Sequence, residues 1–84
     1  MADDKLLVYG VAWCGDCRRA QKFLQTNKIP YEFINIDQDK TGEQLVIKVN
    51  RGFRSVPTIV FPDGSILVEP SNRQLAQKLQ ISEI

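Results

Sequence analysis

The sequence predicts an α/β fold: a four-stranded mixed sheet flanked by three helices, in the order β-α-β-α-β-β-α. Three observations carry this. Four short apolar runs rich in β-branched and aromatic residues read as strands, and three segments between or after them space their apolar residues as helices do. Pro62-Asp63-Gly64-Ser65 joins the last two runs as a hairpin turn. The 84 residues fit a single domain spanning 1–84, with 43% apolar and 25% charged residues as in ordinary soluble globular proteins.

Lys5-Leu6-Leu7-Val8-Tyr9, ending at Gly10, reads as a first strand buried on both faces. From Gly15 the period changes. Cys17, Ala20, Phe23 and Leu24 fall on one helical face, and the helix stops near Asn27 because Pro30 follows. Tyr31 to Ile36 returns to strand character. Thr41-Gly42-Glu43-Gln44 has the pattern of a capping box, with Asp39 as the other N-cap candidate. Leu45, Val46 and Val49 give the second helix its apolar stripe, and Gly52 is the expected C′ residue. Thr58-Ile59-Val60-Phe61 and Ile66-Leu67-Val68 form the final pair of strands. A second capping box over Ser71 to Gln74 opens a third helix on Leu75, Ala76 and Leu79. Two β-α-β crossovers would make parallel neighbours, and the hairpin would add an antiparallel strand.

Composition excludes several kinds of chemistry. There is no histidine, which removes a His general base and a His metal ligand, and two cysteines alone cannot close a four-ligand zinc site within the chain. A net charge of +1 argues against nucleic acid held by bulk charge. The longest uncharged stretch, Leu6 to Gly15, is half the roughly 20 residues a spanning helix needs, and the first residues are acidic, unlike a signal peptide. A cytoplasmic protein with no membrane partner is the expectation. Asp37-Gln38-Asp39-Lys40-Thr41-Gly42 copies half an EF-hand loop, but Lys48 stands where the bidentate glutamate belongs, so no metal is expected.

The chemistry lies in Trp13-Cys14-Gly15-Asp16-Cys17, a Cys-x-x-Cys between a predicted strand and the first turn of a helix. Active residues of such sheets gather at the carboxyl ends of strands. Cys14 meets unpaired helix N–H groups and the positive end of the helix dipole, which favour a thiolate, the nucleophile of disulfide exchange. Cys17, one turn on, faces the core with Ala20. The pair divides into an attacking Cys14 and a resolving Cys17. Asp16 sets a negative charge near Cys14, which Arg18 and Arg19 are close enough to offset in part. Trp13 is positioned to shield the disulfide and pack on a substrate.

Together with Tyr9, Arg54-Ser55-Val56-Pro57-Thr58 and Asp63-Gly64-Ser65, this motif resembles the thioredoxin-fold redoxins, most closely the small glutaredoxins and mycoredoxin-like proteins, over nearly the whole chain. The resemblance implies a thioredoxin-like fold, a cis Pro57 beside the redox pair, and a Val56 backbone that docks substrate as an added strand. Apart from the resemblance, Trp13 beside Cys14 and Arg54 close to Pro57 are candidate substrate contacts, and Ser71 and Asn72 are candidates to hold a carboxylate at the start of the third helix. The chain departs from the family at Asp16, at Val8 (a buried Asp in thioredoxins), at Val11-Ala12 where glutaredoxins carry a Lys, and at Glu69-Pro70-Ser71-Asn72 where they carry Gly-Gly and acidic residues.

The function expected is a monomeric thiol–disulfide oxidoreductase acting on protein disulfides, or on mixed disulfides with a small thiol. No bound cofactor is required. Glutathione, mycothiol or a related thiol would serve as co-substrate, or a thioredoxin reductase would supply electrons. The alternatives are a dimeric iron–sulfur carrier, which Gly15 permits, and a hydrogen donor to ribonucleotide reductase.

Overall fold

The computed structural model describes residues 5–81, so the acidic start read at residues 1–4 lies outside it. The elements are β1 (Leu6–Gly10), α1 (Gly15–Thr26), β2 (Tyr31–Asn35), α2 (Lys40–Val49), β3 (Thr58–Val60), β4 (Ile66–Val68) and α3 (Asn72–Leu79), in the predicted order. The strands form one sheet ordered β2-β1-β3-β4.

One expectation about strand direction is corrected. β1 and β2 are parallel, but β3 runs antiparallel to β1, with Tyr9 opposite Thr58 and Leu7 opposite Val60. β4 is antiparallel to β3. The reason lies in α2, which crosses the carboxyl end of the sheet instead of running its length. A Cβ at Gly42, in the first turn of α2, would stand 3.0 Å from Ile34 and 3.3 Å from Tyr9. At the other end Asn50 donates to the carbonyl of Val46 (2.8 Å) and to the hydroxyl of Thr58 (3.1 Å). Both ends of α2 are thus fastened near the same edge, and β3 starts where β1 stops.

The core has two parts. Leu6, Val8, Ala20, Phe23, Leu24, Ile59, Phe61, Leu75 and Ala76 pack α1 and α3 on the sheet. The smaller part, Val11, Ile36 and Val46, lies toward α2 and carries Tyr9, Cys14 and Val56 against it. Strand β1 is therefore not equally covered on both faces. Leu6, Val8 and Gly10 are buried, whereas Leu7 and Tyr9, on the opposite face, are half-buried.

The caps follow local chemistry with two shifts of register. Asp39 is the N-cap of α2, accepting from Gly42 N–H at 2.9 Å, which places Thr41 inside the first turn. The residue at C′ is Arg51 (φ 57°) and not Gly52. Arg51 N–H reaches Lys48 O and Gly52 N–H reaches Ile47 O at 2.8 Å, a Schellman closure. The Ser71 capping box of α3 forms as expected, with Gln74 N–H on Ser71 Oγ and Ser71 N–H on Gln74 Oε1. Among the described residues no helix is long and apolar enough to cross a membrane.

Candidate active site

Cys14 is the N-cap of α1, in extended conformation, and its Sγ accepts the N–H of Cys17 at 3.2 Å. This follows from the sequence locally. The chain leaves β1 at Gly10, turns through Val11 to Trp13, with Cys14 N–H on Val11 O, and enters the helix at Gly15. A sulfur at this position faces the free amides and the positive end of the helix dipole. Both cysteines are free thiols; Cys14 is half-buried and Cys17 fully buried. Burial above all, and then the hydrogen bond with Cys14, pushes the Cys17 thiol up to about 12, against a smaller lowering by the Val11 backbone.

Gly10 makes this arrangement fit, and sequence reasoning missed it. A Cβ there would stand 2.6 Å from Cys17 Sγ and 3.1 Å from Phe33 Cε1. The strand therefore needs a residue without a side chain where the Cys17 thiol rests on it. The available signal was a glycine closing an apolar strand, which marks close backbone approach as well as strand termination.

On the α2 side, Trp13 is 70% exposed, and its indole N–H donates to Asp37 Oδ2 at 3.0 Å. Asp37 Oδ1 accepts Arg54 Nη2 at 2.5 Å, and Arg54 Nε donates to Glu43 Oε2 at 2.7 Å. Arg54 first, and Trp13 after it, hold the Asp37 carboxyl below the usual carboxylate range. One carboxylate thus ties together the Trp13 loop, the β2–α2 connection and the loop before Pro57. Asp37 and Glu43 carried no sequence signal for this role, because their partners are distant in the chain.

The Val56–Pro57 peptide bond is cis. Val56 packs with Cys14 on the smaller core, and its N–H and C=O take no partner among the described residues. Neighbouring groups are anchored: Thr58 Oγ1 donates to Ser55 O at 2.8 Å, and Glu69 N–H donates to Pro57 O at 2.8 Å. Phe53, next to Arg54, is another exposed aromatic the sequence reading did not single out.

On the α3 side the structure joins Asn72 to the motif through Arg19. Its guanidinium donates to Asn72 Oδ1 (2.6 Å), Pro70 O (2.7 Å) and Asp16 Oδ1 (2.9 Å). The Asp16 charge beside the cysteines is therefore countered directly by Arg19, whereas Arg18 turns to the carbonyl of Ala12. Ser71 Oγ is engaged in capping α3.

Comparison with known proteins agrees with this geometry. The glutaredoxin family model matches residues 6–66. A Mycobacterium tuberculosis protein that bears a glutaredoxin name is 39% identical over 74 residues, covering 88% of each chain. Mycoredoxin 1 of Corynebacterium glutamicum is 33% identical over 73 residues, covering 87% of this chain and 90% of its own. Among solved structures, the thioredoxin-like protein BC3987 superposes with a TM-score of 0.76 at 26% identity, covering 87% of this chain and 97% of its own. A glutaredoxin of Archaeoglobus fulgidus gives 0.73 at 26% identity, covering 92% and 87%. The fold is thioredoxin-like, and the chain belongs to the glutaredoxin family of thiol–disulfide oxidoreductases.

Proposed function

We propose that this protein reduces protein disulfides, and mixed disulfides between proteins and a small thiol, with Cys14 attacking and Cys17 resolving. The observation that carries the reading is the asymmetry of the pair: a half-buried sulfur at the start of α1 receiving a helix N–H, against a buried thiol raised to about 12.

The chemistry balances as two exchanges. The Cys14 thiolate attacks one sulfur of a disulfide, forms a mixed disulfide and expels the other half as a thiolate. The chain has no histidine to act as base, so the expelled thiolate takes the Cys17 proton. Once Cys14 is tied up covalently, its hydrogen bond with Cys17 and its negative charge are gone. Two of the causes that raise the Cys17 thiol then vanish when its thiolate is needed. Cys17 attacks Cys14 sulfur, releases the second half of the substrate and leaves a Cys14–Cys17 disulfide; two electrons pass to the client. Glutathione, mycothiol or a related thiol, or a thioredoxin reductase, returns the pair to the dithiol. Trp13, Arg54, Val56 and Pro57 border the docking groove in this reading. The Val56 backbone, without a partner among the described residues, offers an extended substrate one strand-like contact, and Ser71 and Asn72 frame the opposite side.

The test compares parent, Cys14→Ser and Cys17→Ser on an intramolecular protein disulfide and on a peptide–glutathione mixed disulfide. Cys14→Ser is expected to lose both activities, and Cys17→Ser to lose only the first. Reduction of protein disulfides by Cys14→Ser at the parental rate would overturn the assignment. Running the parent with glutathione, mycothiol and thioredoxin reductase in turn identifies the electron donor.

A further inference from the structure

Arg54 is a cation placed to attract an anionic substrate group to the Trp13 side of the site, yet two of its guanidinium nitrogens already face carboxylates. Nη2 is on Asp37 and Nε is on Glu43, so one positive charge meets two negative ones. These residues line a cleft of about 200 Å³ together with Ile36, Gln38 and Lys40. Asp37 is also the carboxylate that fixes the indole of Trp13, next in sequence to Cys14. We propose that Asp37 is a specificity-determining residue, which withholds Arg54 from the anionic groups of a small-thiol substrate and thereby sets the charge preference of the site.

The proposal rests on the oxidoreductase reading and adds to it. An anionic thiol reaching Arg54 competes with Asp37 for it, whereas a neutral thiol has no use for the guanidinium and a cationic one has Asp37 itself to pair with. Asp37 is a positioning residue here; it acts through Arg54 and touches no reacting sulfur. In Asp37→Asn the side chain keeps its shape, and its carbonyl oxygen still accepts the Trp13 indole, but one of the two charges facing Arg54 is gone and only Glu43 remains. The exchange with an anionic thiol is then expected to gain about fivefold, the upper end for a single exposed ion pair.

One neutral cysteine-containing peptide is joined by mixed disulfides to three small thiols: 3-mercaptopropionate, 2-mercaptoethanol and cysteamine, of charge −1, 0 and +1. In each, Cys14 thiolate attacks the sulfur of the small thiol, and the peptide leaves as a thiolate that is quantified after acid quenching. The readout is the second-order rate constant for a single turnover of pre-reduced enzyme, which consumes no further reductant, on each substrate with parent, Asp37→Asn and Asp37→Glu. Support is a rise of about fivefold or more in the mercaptopropionate-to-cysteamine ratio in Asp37→Asn, with the ratio held at the parental value in Asp37→Glu. A ratio that does not move in Asp37→Asn overturns the proposal, as does a fall by one common factor on all three substrates, the signature of a merely structural strut. If the parent exchanges with none of the three, the oxidoreductase reading itself fails, and this proposal with it.

Discussion

Replacing Gly10 with alanine tests how closely Cys17 is seated on the sheet. The added Cβ would stand 2.6 Å from Cys17 Sγ, 3.1 Å from Phe33 Cε1 and 3.3 Å from Cys17 Cβ. A carbon–sulfur contact at rest needs roughly a further 1 Å. Neither neighbour yields easily: Cys17 is wholly buried in α1, and Phe33 packs on the main core from β2. Overpacking of this kind costs about 1–3 kcal/mol, or a Tm lowered by about 10 °C in a domain this small. The displaced atom is the Cys17 sulfur, which resolves the mixed disulfide in the proposed mechanism, and a misplacement of about 1 Å costs on the order of 100-fold in rate. Gly10→Ala is therefore expected to lose direct reduction of protein disulfides by one to two orders of magnitude, and to lose much less in exchange with small mixed disulfides, where Cys14 acts alone. Thermal melts and the two reductase assays read this out. A double-mutant cycle sharpens it. Placing Gly10→Ala on Cys17→Ala removes the worst contact, so the stability penalty should shrink by about 1 kcal/mol. An unchanged melt with unchanged protein-disulfide reduction in Gly10→Ala, or an equal penalty with and without the Cys17 sulfur, would refute the reasoning.

Three further outcomes follow from single features of the structure. Cys17 titrates at about 12 in the folded protein and about 8.5 unfolded. The stability it contributes is complete below about pH 8.5 and is lost above it at about 1.4 kcal/mol per pH unit, so melts of Cys17→Ala should be flatter from about pH 8.5 to 10 than those of the parent. The Lys78 ammonium first, and Ser65 after it, hold the Asp63 carboxyl well below the usual range. Its contribution is present above about pH 4 and fades as pH falls further, so Asp63→Asn should show a shallower acid loss of Tm. Ser71→Ala removes the capping box of α3 and is expected to cost about 1 kcal/mol, read as a Tm lower by about 5 °C.

What the sequence made legible was whatever a short segment decides by itself. The helical spacing of Cys17, Ala20, Phe23 and Leu24 fixes which face of α1 is buried, and all four are buried. The same spacing places Cys17 inside and leaves Cys14 at the helix start, so the division between the two sulfurs was readable from a four-residue motif and one periodicity. The Ser71 cap and the turn at Gly64 are equally local. The direction of β3 was not, because it depends on α2 lying across the end of the sheet, held there by Asn50 on Thr58. Nor was the C′ position of α2: the left-handed residue is Arg51, and Lys28 after α1 and Gln80 after α3 adopt the same conformation without glycine. In each case hydrogen bonds back to the last helical turn offset a conformational cost of about 1–2 kcal/mol that sequence alone assigns to a non-glycine. The charged surroundings of the cysteines were the least legible part. Arg54 reaches Asp37 and Glu43 across 17 and 11 residues, and Arg19 reaches Asn72 across 53. Read along the chain, Arg19 is one of two arginines close enough to offset Asp16, and Arg54 is a candidate substrate contact beside Pro57. Folded, both are committed, one tying the Pro57 loop to Trp13 through Asp37 and the other tying Asp16 to α3. The charge a substrate meets beside the cysteines is therefore set by these ion pairs, Asp16 on Arg19 and Asp37 with Glu43 on Arg54, and not by the arginines alone.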